Sequence, residues 1–267
     1  MGSARLAAAF EKTRNESRPA LISLVMPGYP SPEGTDAVFD AMIAGGVDIV
    51  EVEIPFSDPL ADGASIQRVA FEALENGTTP SDCIEFVRRA RSRHPDVPIV
   101  FMTYLNPVLA YGLERFAADA AAAGADAIIP VDLPPEEAGA TKAAFAAHDV
   151  DVIFLVSPTS SDERLAYIGS QSSGFLYCVS IAGVTGARNE LPKELPLFLE
   201  KVRRCTALPL AVGFGISRRE HIESLNGIAD GAVVGSAFMD VIRTAGALEA
   251  PEAIRRYSEV LSGRASA

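Results

Sequence analysis

The chain has 267 residues, 48% of them hydrophobic, with mean hydropathy +0.19 and 35 acidic against 23 basic residues for a net charge of -12. That apolar content supports a sizeable core and argues against disorder, while the acidic excess, with no Lys- or Arg-rich run to offset it, works against binding of nucleic-acid phosphates. The start, MGSARLAAAFEKTRNES, acquires charge too early for a secretory leader, and no apolar run reaches the roughly 18 residues of a membrane span, so the expected compartment is the cytoplasm. Cys83, Cys178 and Cys205 are few, odd in number and widely spaced, which fits reduced thiols rather than a disulfide framework or a zinc site.

A short helix is expected over residues 4–14. After it, apolar strand candidates alternate with helical segments: 21–25, 48–54, 98–102, 126–131, 151–156, 174–179, 209–213 and 231–235. Helix starts are marked by Ser31 before Pro32, Thr79 before Pro80, and Ser160 with Glu163 as a capping box. Strands joined through helices must run parallel, and eight such units close into a (β/α)₈ barrel, the expected α/β fold class. With no linker or low-complexity segment, residues 1–267 are expected to form a single domain. A weak internal repeat agrees with this. GGVDIVEVEIP from Gly45 and GADAIIPVDLP from Gly124 share a helix-ending glycine, an Asp entering the strand, a β-branched run and a proline exit, and residues 229–234 echo part of the pattern. Convergence alone also produces such echoes, because any barrel strand wants a capping glycine and an aliphatic core.

Residues 50–63, VEVEIPFSDPLADG, are the stretch the chain is arranged around. Strand periodicity puts Glu51 and Glu53 on one face, and the run breaks at Pro55 and Pro59 into a loop holding Ser57, Asp58, Asp62 and Gly63. A barrel strand ending in a carboxylate-bearing loop is where catalytic residues sit. The last three strands end in small residues, at Gly183 to Gly186, at Gly213 to Ser217 and at Gly235 to Ala237. Backbone N–H groups there can approach an anion, and a helix starting after Gly235-Ser236 adds its positive N-terminus. Lys12, Lys142, Lys193 and Lys201 all fall in expected helices or loops, which leaves no strand lysine for a Schiff base. His94, His148 and His221 are scattered and read as surface residues, not metal ligands. Carboxylates remain, with Glu51 and Asp62 the best acid/base candidates.

At this point the residues resemble a known family. The segment from Glu51 to Gly63 is similar to the signature of the tryptophan synthase alpha chain, which reads close to ELGIPFSDPLADG. The likeness extends to Asn106-Pro107, Asp132-Leu133-Pro134, the Ala-Gly-Val-Thr-Gly run ending at Gly186, GFGIS from Gly213, and Gly235-Ser236. The resemblance implies a barrel that cleaves indole-3-glycerol phosphate to indole and glyceraldehyde 3-phosphate without a cofactor or metal, as partner of a beta chain that uses PLP. It implies that Glu51 protonates indole C3 and accepts the glycerol hydroxyl proton, and that Asp62 receives the indole N–H. Thr185 would close over Asp62; Gly186, Gly215, Gly235 and Ser236 would hold the phosphate; and Leu24, Met102, Tyr104, Ile129, Tyr177 and Phe214 would line the indole pocket. The loops around residues 55–59 and after Asp132-Leu133-Pro134 would face the beta chain. Two positions depart from the pattern: Glu53 stands where the family has glycine, and Ile181 where it often has a polar residue. They leave two other readings open, a stand-alone lyase for a related phosphorylated substrate and a weakly active or non-catalytic partner of a beta chain. Ser23, Tyr104 and Asn106 are the neighbouring groups the sequence offers Glu53 as hydrogen-bond partners.

Overall fold

Parallel strands separated by helices form a single sheet, as the alternation of β-branched and helical segments requires. The computed structural model describes residues 4–179, 191–213 and 215–266. Its strands are β1 (Ala20–Val25), β2 (Ile49–Glu53), β3 (Ile99–Thr103), β4 (Ala127–Pro130), β5 (Asp151–Val152), β6 (Leu155–Val156), β7 (Leu176–Val179), β8 (Leu210–Gly213) and β9 (Gly231–Val234). All pairs are parallel, in the order β5-β4-β3-β2-β1-β9-β8-β7-β6. The two edges of that order, β5 and β6, are halves of one continuous stretch. Its first half pairs with β4 and its second with β7, the change falling where the Ile153 N–H bonds the Ile128 carbonyl (2.9 Å) and the Phe154 carbonyl accepts from the Tyr177 N–H (3.1 Å). The stretch expected as strand five thus lies across the seam and closes a barrel of eight strand positions.

Side-chain alternation sorts the apolar residues into two layers. Ile22, Ile49, Val100, Met102, Ala127, Ile129, Ile153, Phe175, Tyr177, Ala211 and Val233 fill the interior of the barrel, while Phe39, Phe86, Phe101, Phe116, Phe145, Phe154 and Phe238 pack between sheet and helices. The first helix, Ala4–Asn15, inserts Leu6 and Phe10 into the inner layer. Phe10 meets Phe175 edge-on at 5.7 Å between ring centroids and lies near Gly231, both at strand starts, so this helix stoppers the N-terminal end. The opposite mouth, formed by the C-terminal strand ends, carries the cavity described below.

The repeat seen in the sequence has a physical basis. Gly46 and Gly124 end their helices in the left-handed conformation, where a Cβ would be strained. The aspartates that follow, Asp48 and Asp126, and Asp230 in the third copy, each turn a carboxylate oxygen to the first N–H groups of a neighbouring strand: Leu21 (2.9 Å), Ile99 (2.8 Å) and Leu210 (2.8 Å). Each is also paired with arginine, Asp48 with Arg18, Asp126 with Arg5 and Arg91, and Asp230 with Arg203.

Three local expectations need correction. Thr79 and Asp82 do form a capping box at the helix Pro80–Arg93, but the helix Asp162–Gln171 is capped by Ser161, whose hydroxyl accepts from the Arg164 N–H, and Ser160 bonds the Ser157 N–H instead. Ser31 receives the Gly34 N–H in the turn before the helix Gly34–Gly45 and is not its cap residue. His221 is buried, not superficial, its Nδ1 accepting from the Ser217 N–H at 3.3 Å. His148 is exposed, and His94 sits against Asp40 at 2.8 Å and the Phe39 ring. Among the described residues no helix is long and apolar enough to cross a membrane, and no group of three or more His, Cys, Asp or Glu is placed to hold a metal ion.

Candidate active site

Glu51 lies midway along β2, beside Leu24 of β1 and Val100 of β3, and its inward direction follows from the period-two alternation with Val50 and Val52. It is fully buried, and neither carboxyl oxygen has a hydrogen-bond partner among the described residues. Burial alone pushes this carboxyl up to about 8, because desolvation penalises the charged form. At neutral pH Glu51 therefore holds a proton inside an apolar barrel, the state a general acid requires.

Asp62 reaches the same cavity from the loop after β2. Burial raises its carboxyl to about 6, opposed by the hydrogen bond that the Tyr104 hydroxyl donates to Oδ2 at 2.9 Å. That hydroxyl also accepts from the Ala61 N–H at 2.9 Å, and the Tyr104 ring packs on Phe56 with centroids 5.2 Å apart. Gln67 donates to the Asp62 carbonyl at 2.8 Å. One tyrosine thus ties the loop to β3 and keeps Asp62 the more acidic of the two carboxyls. They differ in environment and hence in protonation near pH 7, one an acid and the other an anion.

The cavity over the barrel mouth brings together Glu51, Glu53, Asp62, Leu24, Met102, Tyr177, Gly215, Gly235 and Ser236, with Leu155, Ile216 and Val233 among the walls that the sequence did not single out. Their signal was present, since Leu155 and Val233 are the inward residues nearest the mouth on their strands. Two expected pocket residues sit elsewhere. Ile129 packs in the inner layer below the cavity, because it lies one inward step deeper on its strand than Val131, which takes the wall position. Tyr104 acts through Asp62 and does not itself line the wall. Thr185, Gly186, Ile181 and Phe214 lie outside the described residues.

The two glycine-rich strand ends among the described residues have distinct jobs. A Cβ on Gly213 would come within 2.4 Å of the Tyr177 hydroxyl, so glycine here makes room for that ring. Gly215 has φ +87, a conformation natural to glycine. A Cβ on Gly235 would fall 2.8 Å from Leu24, and the helix Ser236–Ser262, broken at Gly246, starts immediately after it at the cavity edge. Helix N–H groups and the positive end of the helix dipole therefore face one rim of the cavity, a place suited to an anion. Lys12, Lys142 and Lys201 are on helices and Lys193 in a turn, and no lysine lines the cavity.

Glu53 follows Glu51 on the same face, in register with Met102. Burial first, and then the charges of Asp62 and Glu51, push it well above the usual carboxylate range. The partners offered by the sequence are engaged elsewhere: Ser23 points outward to the Val234 carbonyl, Tyr104 serves Asp62, and Asn106 is exposed.

This arrangement has known counterparts. A family profile described as "Tryptophan synthase alpha chain" matches residues 10–264. The tryptophan synthase alpha chain of Roseiflexus sp. (strain RS-1) is 51% identical over 241 residues, covering 90% of this chain and 92% of that one. A solved structure of Mycobacterium tuberculosis tryptophan synthase superposes with TM-score 0.90 at 37% identity over 98% of each chain. A structure of the Pyrococcus furiosus tryptophan synthase complex does so with TM-score 0.84 at 37% identity, over 92% of this chain and 98% of that one. By profile, identity and fold together, the chain belongs to the tryptophan synthase alpha chain family.

Proposed function

We infer that this chain is the alpha subunit of a tryptophan synthase and cleaves indole-3-glycerol phosphate to indole and glyceraldehyde 3-phosphate, working in the cytoplasm from a single barrel domain. The observation that carries the mechanism is the pairing, over one apolar cavity, of a buried carboxyl that holds its proton at neutral pH with a second that does not. Protonated Glu51 delivers its proton to C3 of the indole ring. The resulting positive charge is shared with the ring nitrogen, whose N–H is held by the Asp62 carboxylate in a site with little water to screen it. Glu51, now a carboxylate, takes the proton of the glycerol hydroxyl next to the ring. The electrons of that O–H bond form the aldehyde carbonyl, those of the C–C bond return to the ring, and Glu51 ends the cycle protonated. The phosphate is anchored by the backbone at Gly215, Gly235 and Ser236, with Gly186 assigned the same role by its motif. Leu24, Met102 and Tyr177 hold the ring, and Thr185 and Phe214 complete the site on the same grounds.

The decisive variant is Glu51→Gln, which keeps the shape and removes the proton. Indole release from indole-3-glycerol phosphate should fall at least about 10²-fold, with binding of an uncleavable analogue little changed, since a positioned acid/base contributes about 10²–10⁴-fold. Near wild-type turnover would move the proton transfer to another group. A beta chain belongs in this reading as the partner that consumes indole. Asp58 and Leu60 project from the loop after β2, Leu60 with 86% of its surface exposed, and Leu109 stands out after β3. Asp132 accepts from the Leu105 N–H at 2.8 Å and so fixes the start of the helix that carries Leu109.

A further inference from the structure

Glu53 has no part in the mechanism above, and its surroundings do not account for it as packing. It stands one inward step, roughly 7 Å, nearer the mouth than Glu51. Only 5% of its surface is exposed, it lines the cavity that Glu51 and Asp62 share, and its Oε2 is sealed from solvent with no hydrogen-bond partner among the described residues. A buried oxygen left in that condition destabilises the empty site and is satisfied by any ligand that brings a donor to it. The remaining walls, Leu24, Met102, Leu155 and Val233, are apolar and suit the faces of a flat ring. Glu51, Glu53 and Asp62 thus present three carboxyls to one small apolar cavity.

Resting on the substrate reading given above, we propose that Glu53 contacts the ligand, its carboxyl accepting a hydrogen bond from the ring N–H beside Asp62, and that it sets a preference for heteroaromatic ligands bearing that donor. Ring nitrogen and C3 lie on the same five-membered ring, so a carboxyl that shares the cavity with Glu51 and Asp62 is within reach of the edge that carries both. Glu53 and Asp62 then form a two-sided seat for the N–H in place of a single acceptor.

The test compares an uncleavable indole-3-alkyl phosphate with its N-methyl counterpart, titrated calorimetrically into the full chain. Wild type should favour the N–H analogue. Glu53→Gln keeps an acceptor oxygen and should hold that ratio within about twofold, whereas the near-isosteric Glu53→Met should lower it about tenfold, the cost of one hydrogen bond to a carboxyl. The steric part of the discrimination stays with Met, so the drop reports the polar part. Glu53→Met should also melt above wild type in the absence of ligand, having lost a buried unpartnered oxygen, and Glu53→Ala is read the same way should Met overfill the site. An unchanged ratio in both variants, in a protein that binds both analogues and releases indole, overturns the Glu53 assignment alone. Wild type that binds neither analogue overturns the substrate reading and this inference with it.

Discussion

Protonation at single residues decides what this site can do. Glu51 ionises near pH 4.5 in an unfolded chain and near 8 in the folded one, so between those values the folded state holds a proton that the unfolded state has lost. Stability must then fall as pH rises through that window, by up to about 1.4 kcal/mol per pH unit from this group. Glu51→Gln does not titrate, and its melting temperature should rise above wild type by a margin that widens from pH 5 to pH 8 and is flat beyond. A margin independent of pH would mean that Glu51 is solvated. Activity should follow the opposite demands of the two carboxyls, strongest between about 6, where Asp62 ionises, and about 8, where Glu51 loses its proton. Tyr104→Phe removes the hydrogen bond that opposes the burial of Asp62, so the acid limb of kcat/KM should move to higher pH while the alkaline limb stays. Movement of both limbs together would assign Tyr104 a general structural role. The carboxyls themselves were legible from strand parity and loop chemistry. Tyr104 was legible as a wall residue and as a partner offered to Glu53 but not as the partner of Asp62, because a hydrogen bond across 42 positions of chain leaves no mark in the spacing.

Among the elements, the strand entries are more tightly specified than an aliphatic repeat suggests. Asp126 is 1% exposed, accepts the Ile99 N–H, and is flanked by Arg5 at 2.7 Å and Arg91 at 2.8 Å. Asp126→Ala takes the charge partner from Arg91, which keeps only its backbone carbonyl acceptors, and the acceptor from a strand N–H at once, so unfolding by denaturant should show a loss of about 3 kcal/mol. The folded fraction should keep wild-type kcat, since Asp126 serves a strand entry and is not part of the cavity wall. A change below about 1 kcal/mol would reduce the aspartates to surface decoration. The repeat was visible in the sequence as Gly-x-Asp before a β-branched run, but its reason was not, because the N–H it serves belongs to a neighbouring strand 27 residues earlier for both Asp48 and Asp126. The seam at residues 151–156 escaped the sequence for a similar reason: the exchange of partners between β4 and β7 changes no side-chain pattern.

At the scale of the whole molecule, the eight-strand order was readable because every strand carries an apolar core run and every return is long enough for a helix. Surfaces were readable only by resemblance, since an exposed leucine has no periodicity to betray it. The loop bearing Asp58 and Leu60 is the proposed contact with a beta chain, and Leu60→Ser combined with Asp58→Ala should weaken co-purification with that chain at least about tenfold. Indole release by the isolated protein should change much less. Undiminished complex formation would place the contact elsewhere on the mouth.

The stopper at the other end of the barrel has a consequence for traffic. Leu6 and Phe10 close the floor, and among the described residues the inner layer above them is packed with buried side chains. The molecule is a blind well. Whatever enters over the loops must leave over them, so neither product has a private exit, and each competes with fresh substrate for the same opening. Any protein seated on that rim becomes the gatekeeper of both directions, deciding what the well receives and where its contents go next.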